Sequence, residues 1–524
     1  MATGAELTYN SSATALQMAN TIFGNGVAVT GASYSGPASS AAIYSNGQLS
    51  PGVVPSSSGV ILSTGNANNF TQSSGDPNRA AGTTTDTSGA NNNTLFNQLA
   101  GTNTYDAVWL NADFIPQGDV MTIRFVFSSE EYPEYISSQF NDVVGVWVNG
   151  TSVPISVGNG QTGVNNINGA NQINLYNNNT GDAFNTEMDG FTVTLSLTMP
   201  VNKGVVNSIR IGIADVSDAR FDSSLLIAAD SVQTVLVARD DAMTIFKDQT
   251  RTFDVLGNDI RQPGATLTIT QINGVNVVAG QTVTLPSGQK IRLNADGTFT
   301  VIGDNTVEKV AFTYTVKDNL GNLDTAIVTL NSIPCFVAGT LIRTPEGEVP
   351  VECLRPGDLV VTQDDGLQPL RWIGRRRVAA TGGFAPIRIR ADTFGNHRCL
   401  SVSPQHRILI RDSLAELLFG EAEVLVAAKD LVNDRSVTVR HGGMVEYVHI
   451  LFDRHQVVFS EGLASESFLP GPQTTHSFER TTLDEICALF PELDPETGGG
   501  YSPAARRTLR AYEARVLMSA ARAA

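Results

Sequence analysis

The first 334 residues contain no cysteine and no histidine. All four cysteines (335, 353, 399 and 487) lie behind them, without CxxC spacing and without close histidine partners. Neither a disulfide framework nor a zinc site is therefore indicated. Lysine is the second shortage: Lys429 alone follows residue 334, while 20 of the 28 arginines do. Long apolar runs are missing too, and nothing approaches the ~18 residues that span a bilayer. The opening MATGAELTYN has neither a basic stretch nor an apolar core, so no secretory leader is read there.

What is present divides at the same place. Residues 1–334 carry 13 Lys and Arg against 27 Asp and Glu, and residues 335–524 carry 21 against 24. The acidity belongs to the front, which disfavours nucleic acid and anionic membranes and suits cation binding or solubility. A chain of 524 residues is too long for one core. Two differently built parts joined near residue 334 are expected.

Residues 1–235 show one short amphipathic helix, ALQMANTIF at 15–23, among strand-like runs separated by polar turns. MTIRFVF and FTVTLSLTM alternate, as half-buried antiparallel strands do. The Asn/Thr/Gly/Ser-rich stretch 64–104 reads as a long loop. Residues 236–333 add about seven short strands with turns such as NADGT. Both segments are expected to be β-sandwiches. Residues 334–470 are again strand-rich, with hairpins around PEG and DDG. Residues 471–524 form a tail with helical spacing over 478–490 and 503–522. The fold class expected is mainly β: two sandwiches, a third all-β domain and a short helical tail.

The first thiol, Cys335, directly follows Pro334 and heads an apolar run. A thiol there can attack the preceding carbonyl and convert a peptide bond to a thioester at high effective concentration. The leaving nitrogen needs a proton donor. SVSPQHRIL supplies one on a turn between strands: Ser403 to bond the turn or the scissile carbonyl, and His406 to reach the nitrogen. His455, in FDRHQVVFSEGL, is a further candidate. Cys353, Cys399 and Cys487 read as structural.

CFVAGTLI with PEG, VECLRPGDLV and TQDDGLQPLRWIG resembles the first block of the Hint fold of hedgehog autoprocessing domains and inteins. SPQH stands where that family has Thr-x-x-His, and 447–465 resembles the last block. The resemblance implies a fold for 334–470 that cuts its own chain before Cys335 and uses no cofactor. Inteins end in His-Asn, whereas Glu466-Ser467 stands here and no Asn follows Asn433. Cleavage without splicing is the activity implied; the alternative is a Hint scaffold without activity. The Pro334 ring crowds the attacked carbonyl.

ARDDAMTIF…VLGNDI and FTYTVKDNLGN resemble cadherin-like or VCBS repeats of bacterial surface adhesins. That implies calcium on Asp240, Asp241, Asn258, Asp259 and Asp318; the alternative is that these residues form turns. FGNGVAVTGASYSG, GVILSTG and FVFSSEEYPEY with IGIADVSDARFDSSLLI resemble the choice-of-anchor L domain. Glu130, Glu131, Asp142, Asp215, Asp218 and Asp222 in those pieces are a candidate acidic cluster for calcium or sugar, or else a solvated edge. The expected protein is a modular bacterial surface or secreted one, exported without a signal peptide. Its partners would be its own polypeptide as substrate and a cell-surface or extracellular carbohydrate or protein, with no nucleic acid and no membrane span.

Overall fold

The computed structural model describes residues 2–524 apart from 81, 137, 158–159, 245–249, 303–309, 332–334, 381–384, 470–479, 491, 493–500, 510–512, 515–516 and 519–524. The chain is mainly β and divides into two compact units. One holds residues 1–241, 252–301 and 310–329, and the other holds 242–251, 302–309 and 330–524.

In the first unit an eight-stranded sheet faces a five-stranded one. The larger runs Thr8–Asn10, Ala41–Ser45, Gly59–Ser63, Ser223–Ala228, Val120–Ser129, Gly190–Thr192 and Tyr176–Asn178, with Leu195–Pro200 also on Val120–Ser129. The smaller runs Val27–Ser35, Thr104–Pro116, Asn207–Val216, Val143–Val148 and Thr151–Val153. Val108, Leu110, Phe114, Phe125, Phe127 and Ile211 share the main core. Leu195–Pro200 alternates as its sequence predicts, but Val120–Ser129 is buried on both faces. A second apolar cluster with Leu7, Tyr44, Phe70, Val126 and Phe191 covers its outer face. Period-two reading sees only the residue itself and misses such a cover.

The helix Ala15–Ile22 forms, closed by a capping box between Thr14 and Gln17. The expected loop 64–104 contains another helix, Thr94–Ala100. Asn93 accepts the N–H groups of Leu95 and Phe96, and Phe96 buries its ring against Trp147. The rest of this unit is built on Leu267–Ile272 paired with Val310–Asp318, and on Thr282–Thr284 paired with Lys290–Leu293. It is joined to the first sandwich by buried polar bonds. Asp324, fully buried, accepts from Thr122 Oγ1, Ser196 Oγ and the Ala238 N–H, with Arg124 buried nearby. These donors satisfy a carboxylate that water no longer reaches.

The second unit stacks two six-stranded sheets. One runs Trp372–Ala379, Met444–Leu451, Phe336–Val337, Leu400–Val402, Ile387–Ile389 and Val437–Val439. The other runs Gly347–Pro350, Leu341–Thr344, Val457–Ser460, Leu463–Glu466, Arg407–Arg411 and Glu423–Ala427. Both hairpins form where their turn residues predict: Thr344 faces Gly347, and Val361 faces Leu367.

In the tail, Arg480–Leu489 is helical. The helix expected from residue 503 does not start there. Residues 507–509 instead run beside the strand Glu423–Ala427, with Leu425 N–H donating to Arg507 O and Leu509 N–H to Leu425 O. Ser502 Oγ, just before that stretch, accepts the His455 N–H. An open strand edge offers the backbone more than an isolated helix start does.

Candidate active site

Cys335 stands at the entry to the short strand Phe336–Val337. Phe336 pairs with Val402 on one side and Val448 on the other. That register fixes what meets the thiol. The Cys335 N–H donates to Ser403 Oγ at 2.7 Å, and the Ser403 N–H donates back to the Cys335 carbonyl at 2.9 Å. Ser403 thus holds the nitrogen of the bond that attack would break. Pro334, on the other side of that bond, lies outside the described residues.

The turn from Ser403 closes with the His406 N–H on Ser403 O at 3.1 Å. The His406 ring packs edge-on against Phe336, centroids 4.3 Å apart. Its Nε2 is buried with no hydrogen-bond partner. Burial pushes its pKa down to about 4, although the Glu466 carboxylate works against that. Glu466 is fully buried and accepts from the Arg407 N–H at 2.8 Å and the Arg407 guanidinium at 3.1 Å. Burial opposes its charge, but Arg407 and His455 outweigh that and hold its pKa at about 2.

His455 is buried and faces Glu466 at 3.5 Å and the Ser467 carbonyl at 3.2 Å. Its Nδ1 accepts the Ala505 N–H at 2.9 Å, which ties the tail to the domain. Cys335, Ser403 and His406 therefore stand together, while His455 belongs to the Glu466 network and the tail.

Sequence reasoning missed His449. Its Nε2 lies 3.4 Å from the Cys335 Sγ. Its place follows from strand pairing, since Tyr447 and His449 flank Val448, which pairs with Phe336. The tail also reaches the thiol: Ile486 and Phe490 share one apolar cluster with Cys335, Trp372, Tyr447 and Phe468. Burial pushes the Cys335 pKa far up, against a smaller pull from Ser403 and Arg376.

Three matches bear on this arrangement. Residues 334–472 match the family described as Hint domain. The chain carries a Hint domain. Residues 7–233 match the choice-of-anchor L domain, and residues 233–331 match a bacterial Ig domain. Among solved structures, a crystal structure of the MchDnaB-1 intein is similar at 12% identity, over 25% of this chain and 98% of that one, with a TM-score of 0.17. No curated protein matches. The three domains fit a modular surface protein. Among the described residues no helix is long and apolar enough to cross a membrane.

The Asp and Asn residues proposed for calcium separate into two groups. Asn258 Nδ2 reaches Asp241 Oδ1 at 3.2 Å and the Asp240 carbonyl at 3.4 Å. Asp259 Oδ1 accepts from the Arg239 N–H at 2.9 Å and the Tyr314 hydroxyl at 3.1 Å. Asp241 Oδ2, Asn258 Oδ1 and Asp259 Oδ2 are buried atoms without hydrogen-bond partners. Asp240 accepts the Ile327 N–H. Asp318 is spent on its own turn, accepting from Leu320 and Asn322.

Of the acidic residues of the choice-of-anchor domain, Glu130, Glu131, Asp142, Asp215 and Asp222 are buried and Asp218 is half-buried, so they are not a solvated edge. Asp142 accepts the Val216 N–H at 3.0 Å and the Ser223 hydroxyl at 2.5 Å, and bonds to Asp215. Asp215 and Glu131 feel its charge, and one oxygen of each is buried without a partner. Glu130 faces Asp189 and Glu187 instead. Asp222 accepts the Thr85 N–H, and Asp218 caps its own turn at Arg220. Among the described residues no three His, Cys, Asp or Glu side chains already form a shell that could hold a metal ion.

Proposed function

We propose that the Hint domain cuts its own chain between Pro334 and Cys335, without splicing. The sulfur of Cys335 adds to the Pro334 carbonyl carbon. The C–N bond then breaks, the nitrogen takes a proton from His406, and the acyl group stays on sulfur as a thioester. Water attacks that thioester and breaks the C–S bond. Residues 1–334 leave with a carboxylate, and Cys335 keeps a free amine and thiol. The observation that carries this reading is the reciprocal bonding of Ser403 with both peptide groups of Cys335. It fixes the scissile nitrogen beside the turn that bears His406. Glu466 and Ser467 stand where a splicing domain would need His and Asn.

The test uses the full chain. Dithiothreitol or hydroxylamine should release residues 1–334, and Cys335→Ala should abolish the release. A chain that stays whole in hydroxylamine overturns the reading. One observation favours a second reading, a Hint scaffold without activity: the thiol is buried and held neutral.

For the front, the reading is an adhesin-like extracellular part that meets a cell-surface carbohydrate or protein. Calcium would sit on Asp241, Asn258 and Asp259, whose three orphaned buried oxygens suit a hard cation. At 100 times its Kd, a cation bound only to the folded state adds about 2.7 kcal/mol. Millimolar calcium should therefore raise the melting temperature by several degrees, and Asp241→Ala with Asp259→Ala should remove the rise. Melting that is identical in EDTA sinks the proposal.

A further inference from the structure

We propose that His449 is the base that takes the proton of the Cys335 thiol, so that two histidines divide the proton work: His449 at sulfur and His406 at nitrogen. This rests on the cleavage reading for its role, and on the 3.4 Å contact between His449 Nε2 and Cys335 Sγ for its geometry. Among the described groups around the thiol, His449 is the one suited to the task. Ser403 Oγ is engaged with the scissile N–H. Arg376 is a cation that favours the thiolate but takes no proton. Tyr447 is a buried phenol whose pKa is pushed up, first by burial and then by Cys335. His406 packs against Phe336 and follows Ser403 on the turn that holds the scissile nitrogen. His449 also lies edge-on to Phe468, centroids 5.5 Å apart, and its strand is locked to Gly374 by register.

The proton balance closes. As sulfur adds to the Pro334 carbonyl carbon, the S–H proton moves to His449 Nε2. As the C–N bond breaks, the neutral His406 ring passes a proton to nitrogen and takes one from solvent at its other ring nitrogen. His449 has gained a proton, His406 ends as it began, and His449 returns its proton to solvent, which replaces the one solvent gave. Charge is conserved, and no co-reactant is needed before the thioester forms.

The decisive measurement is the rate at which iodoacetamide modifies Cys335 in the full chain from pH 5 to 9, read by site-resolved mass spectrometry. The wild-type profile should carry an inflection from the histidine pair partner. His449→Gln and His449→Ala should remove the inflection and slow modification at pH 7 at least tenfold. A role in packing alone would lower the melting temperature and leave the inflection in place, which overturns the proposal. A second arm follows release of residues 1–334 in dithiothreitol. His449→Gln should slow release by about 10²–10⁴, the usual worth of a general base. His406→Ala should slow release while keeping the wild-type modification profile. If the wild-type chain never releases the fragment, the cleavage reading fails, and the modification profile still decides whether His449 takes the thiol proton.

Discussion

Lowering the pH from 8 to 4 in EDTA should destabilise the unit that holds the Hint domain and stabilise the front unit. The two units carry opposite kinds of buried charge. In the Hint unit, burial holds His406 neutral, with its pKa down at about 4 from an ordinary 6.5. As pH falls through 6.5, the unfolded chain takes the proton first and the folded one does not. Stability present above 6.5 is lost progressively down to 4, by about 3 kcal/mol at about 1.36 kcal/mol per unit. Glu466, held at about 2 by Arg407 against the cost of burial, adds a further loss of similar sign between its ordinary 4.5 and 2. In the front unit the signs reverse. Burial, with Asp189 and Glu187 nearby, pushes Glu130 up to about 9. Burial likewise raises Asp222 to about 6 and Asp324 to about 7, and raises Glu131 and Asp215, which both face Asp142. These folded carboxyls hold protons that the unfolded chain has released. Their stability is full below pH ~4 and falls as pH rises through the raised values. Hydrogen exchange by mass spectrometry reads peptides of each unit separately and gives the test. Protection in 400–466 should drop on acidification while protection in 104–228 rises. Parallel behaviour of both sets would refute the assignment.

The same charges show what one chain of letters could and could not say. The hairpins at PEG and DDG were legible because a turn is local: Gly347 at φ +123° and Gly366 at φ +66° are positions that favour glycine. The Cys335, Ser403 and His406 grouping was legible because two of its members share one turn and the third opens the strand beside it. His449 was not, because its role depends on which strand lies next to Phe336, a long-range fact. The acidic residues of the choice-of-anchor domain looked like a solvated edge because charge usually means water. Here Glu130, Glu131, Asp142 and Asp215 are each at most 3% exposed. What buries them is the neighbouring strands and the loop carrying Thr85, which composition alone does not fold over them. The tail failed for a related reason. Helical spacing from residue 503 is real, but Leu425 offers a strand edge that the spacing does not encode.

Removing the apolar cover of Cys335 should raise its reaction with iodoacetamide at pH 8 by at least 100-fold. Ile486 and Phe490 are 1% and 2% exposed and lie in the same cluster as the thiol. Tyr501 packs edge-on against Phe490, centroids 5.3 Å apart, and its hydroxyl bonds the Phe452 carbonyl. The cover acts twice. It blocks access, and it keeps the thiol out of water, which is the main reason its pKa is far above the ordinary ~8.5. A thiol returned to water is about a quarter ionised at pH 8, whereas the buried one is held in its neutral form. Ile486→Asp with Phe490→Asp places two charges where the cluster needs apolar surface, so the helix Arg480–Leu489 should leave. Ionisation and access then act in the same direction. The same variant should speed dithiothreitol-dependent release of residues 1–334, because the external thiol must also reach the thioester. A rate of modification equal to wild type would mean that the helix does not guard the thiol. Faster modification without faster release would place the slow step at the Pro334 carbonyl, whose ring crowds the attack however well the sulfur is ionised.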